Sequence, residues 1–130
     1  MTRPAKPYPK HMQLASERKR YRRKVASPKH WAAIRDAKIG PCRICLDAAE
    51  NGRMYGRIHL HHVVSREHGG DDVADNLVPL CPDCHADVTR RKAHYCRELL
   101  SRLEDAEYAY MIDRGGEDYP ERAYGIEYTR

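Results

Sequence analysis

Cys81-Pro82-Asp83-Cys84-His85 and, upstream, Pro41-Cys42-Arg43-Ile44-Cys45 decide the architecture of this 130-residue chain, with 35 residues between the two cysteine pairs. Two residues between cysteines let both sulfurs turn onto one ion at about 2.3 Å, and two such turns complete the tetrahedral four-sulfur shell that zinc favours. A single pair would equally suit a redox dithiol. Two matched pairs, each beside a proline, point to structural Zn2+ held by Cys42, Cys45, Cys81 and Cys84. A filled shell has no open position, so this ion is structural rather than catalytic. Its binding free energy is folding free energy, and the composition needs such a source. With 33% charged residues, 8% aromatics and a mean hydropathy of −0.86, little apolar material is left for a core. The fifth cysteine, Cys96, falls with Leu99, Leu100 and Leu103 on one helical face and reads as a small buried hydrophobe.

Charge divides the chain into three. Residues 1–40 carry 12 Lys+Arg and 2 Asp+Glu, net +10; residues 41–94 carry 7 and 8, net −1; residues 95–130 carry 5 and 9, net −4. The expected organisation is a basic, partly disordered arm (1–26), a metal-knuckle core (27–94) and a helical, acidic extension (95–130). Arg18, Lys19, Arg20, Arg22, Arg23 and Lys24 repel one another on any helix, and contact with the phosphates of a nucleic acid would relieve that repulsion. No apolar run approaches the roughly 20 residues needed to span a bilayer, and no apolar region follows the basic N-terminus as in a secretory signal. The expected location is the cytoplasm, where thiols stay reduced and bind metal.

Local signals place the elements around the knuckles. Ser27-Pro28 reads as a helix cap followed by proline in the first turn, predicting a helix over about 28–38, with Gly40 as its stop. Trp31 is expected to anchor the core from that helix. Asn51-Gly52 is a turn signal. Residues 58–64 have strand composition, 69–72 are a loop, and 76–80 form a second short strand. From Pro82 the pattern is helical as far as Gly115-Gly116, with Glu104 as the one candidate break.

Zinc structure does not require His61-His62, Asn76 or His85. With their surroundings, Leu60 to Asp72 and Asn76 to His85, these residues resemble the HNH endonucleases, and more narrowly the small zinc-knuckle HNH proteins of bacteriophages. The resemblance implies a small α+β fold: a ββα-metal (His-Me finger) core stabilised by the four-cysteine zinc site, with flanking helices. It further implies that His61 and His85 hold one catalytic divalent cation, that His62 is the general base, and that Asn76 pins the loop between the strands. Two imidazoles without a carboxylate suit Mn2+, Ni2+, Co2+ or Zn2+ better than Mg2+. Neutral histidine, with a pKa near 6.5, can take a proton from water at physiological pH. His61 and His62 alternate across a regular strand, so serving one site requires the strand to end or bulge there.

The expected function is metal-dependent endonucleolytic cleavage of DNA, in which Arg66 is a candidate phosphate clamp. The resemblance adds a phage origin, in the host cytoplasm, and assistance to terminase subunits in packaging. Homing or restriction are the other roles open to such proteins. The competing reading, from a different class, is a non-catalytic zinc-stabilised nucleic-acid-binding module.

Overall fold

A computed structural model of the chain describes residues 22–46 and 58–130. The expected turn at Asn51-Gly52 and most of the basic arm, including Arg18, Lys19 and Arg20, lie outside these residues. Among the described residues, no helix is long and apolar enough to cross a membrane.

Helix α1 (Pro28–Lys38) begins where its sequence predicts. Ser27 accepts a hydrogen bond from the His30 amide at 3.1 Å, and Pro28 occupies the first turn, where no intrahelical amide bond is needed. The helix is capped by Ile39, one residue before Gly40. Ile34 is its one buried residue, and this corrects the expectation for Trp31. Residues three apart are offset by about 60° around a helix axis. When Ile34 enters the core, Trp31 is therefore left at the rim, half-exposed, with its ring parallel to that of His62 at 6.1 Å.

Strands β1 (His59–His62) and β2 (Leu77–Leu80) pair antiparallel, with His59 opposite Leu80 and His62 opposite Leu77. Every residue of β2 is buried, whereas β1 is exposed at His59 and half-buried from Leu60 to His62. The Arg43 amide donates to Pro79 O at 2.9 Å, which lays the first knuckle beside β2. Cys81 then caps helix α2 (Pro82–Thr89), its sulfur 3.4 Å from the Cys84 amide nitrogen. The second knuckle is thus both the start of a helix and half of a metal shell. Together β1, β2 and α2 make the expected ββα unit.

The helical pattern after Pro82 breaks twice, not once. Arg91 adopts a positive φ of 59° between α2 and α3 (Ala93–Ser101), and a second break precedes α4 (Asp105–Gly115). The later break falls at Glu104, which forms a capping box with Glu107. The earlier one has a tertiary cause. Eight residues of straight helix would hold Val88 and Cys96 about 12 Å apart, yet the Cys96 thiol reaches Val88 O at 3.6 Å. Folding back at Arg91 lets Cys96, Leu99 and Leu100 join Val88 and Leu80 in one core. A last short helix, α5 (Tyr119–Tyr124), closes over the ββα unit: Tyr119 and Tyr124 are buried, and Tyr124 donates to Val63 O at 2.6 Å.

One buried carboxylate ties three parts together. Glu107 on α4 is fully buried and receives Lys38 Nζ of α1 at 2.5 Å, Arg43 Nη1 of the first knuckle at 2.7 Å and the Glu104 amide at 2.7 Å. Burial works to raise its pKa, but the bonds from Arg43 and Lys38 outweigh it and hold the group below its ordinary value. A depressed folded pKa contributes stability above the unfolded value and loses it as the pH falls through the folded one. Glu107→Gln should therefore cost about 2–4 kcal/mol in urea unfolding at pH 7, with two cations left uncompensated. The gap from the native chain should shrink as the pH drops below about 4.5. A gap that is constant with pH would show that the charge contributes nothing.

Candidate active site

Two centres flank the junction of β2 and α2. At the first, the sulfurs of Cys42, Cys45, Cys81 and Cys84 all lie within 4.8 Å of one another, and those of Cys45 and Cys81 are 3.9 Å apart. Four sulfurs at about 2.3 Å from one ion sit about 3.8 Å apart, so the cysteines are positioned for a zinc site. Cys42, Cys81 and Cys84 are buried, while Cys45 faces outward. Cys96 is buried apart from them, in the helical core.

The second centre begins one residue after Cys84. Successive residues diverge by about 100° on a helix. Cys84 joins the sulfurs, whereas His85 turns to β1, where its ring lies 5.2 Å from those of His59 and His61. His59 Nδ1 and His85 Nδ1 are 3.0 Å apart. Two nitrogens each about 2.0–2.1 Å from one cation and adjacent in its shell stand roughly 3 Å apart, so this spacing fits shared ligation. The sequence offers the signal for His59 in its i, i+2 relation to His61, which places both on one strand face.

His61 gains an orienting partner from the far end of the chain. Tyr124 gives its only proton to Val63 O, so it must accept from His61 Nε2, 2.9 Å away. The Nδ1 lone pair of His61 is then left available to a metal. Burial, followed by the nearby His85 and His62, pushes the His61 pKa down to about 3. Burial, then His59, lowers that of His85. Neutral imidazoles are the ligating form. Partners of this kind typically tune metal affinity 10–100-fold. Tyr124→Phe should therefore weaken Mn2+ or Zn2+ binding at the histidine centre about tenfold in calorimetric titration while the four-cysteine site stays filled; unchanged affinity would refute the orienting role.

β1 ends at His62, which resolves the alternation problem. The two faces of the strand converge where it stops, and His61 and His62 both line an open cleft of about 530 Å³ with Trp31, Leu60, Arg66 and His85. His62 Nε2 lies 2.8 Å from Asp72 Oδ1. Burial lowers the His62 pKa, against the raising effect of its bond to Asp72. Asn76, fully buried, accepts from the Val64 amide at 2.8 Å and donates to Val64 O and Asp71 O at 3.0 Å each. It clamps both ends of the loop that follows His62. Gly70 makes the clamp possible, since a side chain there would collide with Val64 O and the Asn76 amide.

The described basic residues divide. Arg66 stands exposed on the cleft, Nε 3.8 Å from Asp72 Oδ1. Arg22 and the Lys24 side chain face outward. Arg23 instead turns inward, with Nη2 2.6 Å from Asp72 Oδ1 and Nε 2.8 Å from Gly70 O. Asp72 and Tyr124 were missed from the sequence. Asp72 sits in a Gly-Gly-Asp-Asp run that reads as a solvated loop, and Tyr124 lies in a segment that reads as an acidic extension.

A four-cysteine knuckle beside a ββα unit, with histidines gathered at the end of its first strand, defines a class. Residues 42–91 match the family model for HNH endonuclease. The chain is also similar to a particular enzyme, the type IV methyl-directed restriction enzyme EcoKMcrA of Escherichia coli (strain K12), at 33% identity over 84 residues. That alignment covers 62% of this chain but 28% of the restriction enzyme, so the chain spans well under a third of its relative's length. No solved structure is significantly similar.

Proposed function

We propose that the chain is a metal-dependent DNA endonuclease in which His62 activates water. The observation that carries this reading is the convergence of His62 with His61 and His85 on one open cleft at the end of β1. His61 and His85, with His59 beside them, would hold the catalytic cation. When bound, such a cation neutralises charge on a phosphodiester and on its leaving oxygen. The chain's own residues supply the rest. His62 takes one proton from water, the water oxygen forms its bond to phosphorus, and the P–O3′ bond breaks. The leaving oxygen then gains a proton from solvent. Arg66 is placed to hold a phosphate oxygen at the cleft, and Asn76 keeps the loop after His62 closed. The products are 5′-phosphate and 3′-hydroxyl ends. Zn2+ is the expected ion at the four cysteines, and the imidazole set favours Mn2+, Co2+ or Ni2+ over Mg2+ at the cleft.

Nicking of supercoiled plasmid with Mn2+ or Mg2+, with and without chelator, tests the reading. The expected result is cation-dependent conversion to open circles. A protein that binds the plasmid but leaves it intact with every cation would be the zinc-stabilised binding module instead. The restriction role of the relative favours restriction as the biological setting, with methylated DNA as the candidate substrate. Cleavage of methylated against unmethylated plasmid checks it. Terminase assistance by a phage-encoded protein rests on the resemblance alone, and co-purification with terminase subunits is its test.

A further inference from the structure

Asp72 is the best-held carboxylate near the cleft, and nothing in the nuclease reading uses it. Its side chain is 5% exposed. Oδ1 takes His62 Nε2 at 2.8 Å and Arg23 Nη2 at 2.6 Å, while Oδ2 accepts the Ala26 amide at 3.0 Å. The Asp72 amide in turn donates to Lys24 O at 2.8 Å. The stretch 23–26 is thus laid along the loop behind His62.

We propose that Asp72, held in place by Arg23, is a positioning residue that fixes the tautomer of His62, and that the segment leading into α1 is therefore part of the active site. This rests on the nuclease reading and adds to it the atom that acts. An ionised carboxylate can only accept, so Nε2 of neutral His62 must carry the proton and Nδ1 must carry the lone pair. Nδ1 is then the base. Arg23 has a distinct task, because a carboxylate this buried needs a counter-charge to stay ionised. A neutral Asp72 could donate to Nε2, reverse the tautomer and remove the base. Trp31, parallel to the His62 ring, bounds it on one side.

The neighbouring Asp71 provides the comparison. It is equally buried and tied to the same segment, accepting the Lys24 amide at 2.6 Å and the Tyr110 hydroxyl at 2.7 Å, whereas the carboxylate at His62 Nε2 is that of Asp72. If Asp72 merely secured the loop, substituting either aspartate would have the same consequence.

Single-turnover plasmid cleavage by the full chain, with DNA affinity measured separately, distinguishes the two. Asp72→Asn should slow the chemical step by about 10²-fold or more while DNA affinity and zinc content stay near native. Arg23→Gln should slow the same step about tenfold, and Asp71→Asn should leave it within about threefold despite a lower Tm. An Asp72→Asn rate within threefold of the native chain, or an equal loss in Asp71→Asn, would overturn the proposal. Nitrogen-15 NMR of histidine-labelled native protein gives a reading independent of activity and of how the variants fold. The His62 ring, assigned by its absence in His62→Ala, should show Nε2 protonated; an Nδ1-protonated ring would overturn the proposal. A native chain inactive with every cation would overturn the nuclease reading, while the tautomer measurement would still decide the role of Asp72.

Discussion

His62→Ala is expected to reduce plasmid cleavage by about 10²–10⁴-fold, the range a positioned general base supplies, while the protein keeps its zinc and its fold. The fold should survive because His62 closes the end of a strand rather than filling the core. Its side chain is 13% exposed and borders an open cleft. Removing it leaves Asp72 with the guanidinium of Arg23 and the Ala26 amide, so no buried charge is orphaned. The structural cost should be about 1 kcal/mol. The cleavage assay, with zinc content and thermal unfolding measured on the same preparation, checks both halves. Cleavage at the native rate would remove His62 from the mechanism. The native chain should also gain cleavage activity as the pH rises and the base loses its proton. Because burial lowers the His62 pKa, the rise should be centred below pH 6.5, and an activity that falls as His62 deprotonates would exclude it as the base.

Cys42→Ser should have the opposite profile: loss of bound metal followed by loss of the fold, with cleavage lost as a consequence. Structural zinc sites of this kind contribute about 10–16 kcal/mol, against a net stability of about 5–15 kcal/mol for an ordinary domain. Here the dependence is sharpened by position. Cys42 is fully buried, and the next residue, Arg43, both pairs with β2 through Pro79 and reaches Glu107. Releasing one knuckle therefore frees a sheet edge and breaks the ion pair that joins that knuckle to α4. Metal analysis together with circular dichroism tests this, and chelation of the native chain should reproduce it. A Cys42→Ser protein that stays folded with a full zinc content would refute the assignment of the shell.

The parts of this protein that are legible in its sequence are those whose causes are local. Cysteines two residues apart must turn together, Ser27-Pro28 starts a helix within its own first turn, and the run Leu77 to Leu80 is apolar enough to lie buried on both faces. The candidate site was legible to the extent that its members share such elements: His61 and His62 on one strand, His85 at the head of the helix that the second knuckle begins. Trp31 and the bend at Arg91 were misread because their placement depends on what they pack against. A helix offset of 60° decides whether a tryptophan is core or cleft wall, and only the return of Cys96 to Val88 makes the helix turn back.

By itself, then, the sequence determined the metal shell, the order of the elements and which histidines could meet. The tertiary structure alone decided what each of them is bonded to. Asp72 behind His62, Arg23 behind Asp72, Tyr124 behind His61 and Glu107 between Lys38 and Arg43 are contacts across 10 to 69 residues of chain. Hydrogen bonds and ion pairs at that separation leave no periodicity in the sequence, because their geometry is set only when the sheet, the knuckles and the last helix close around one core.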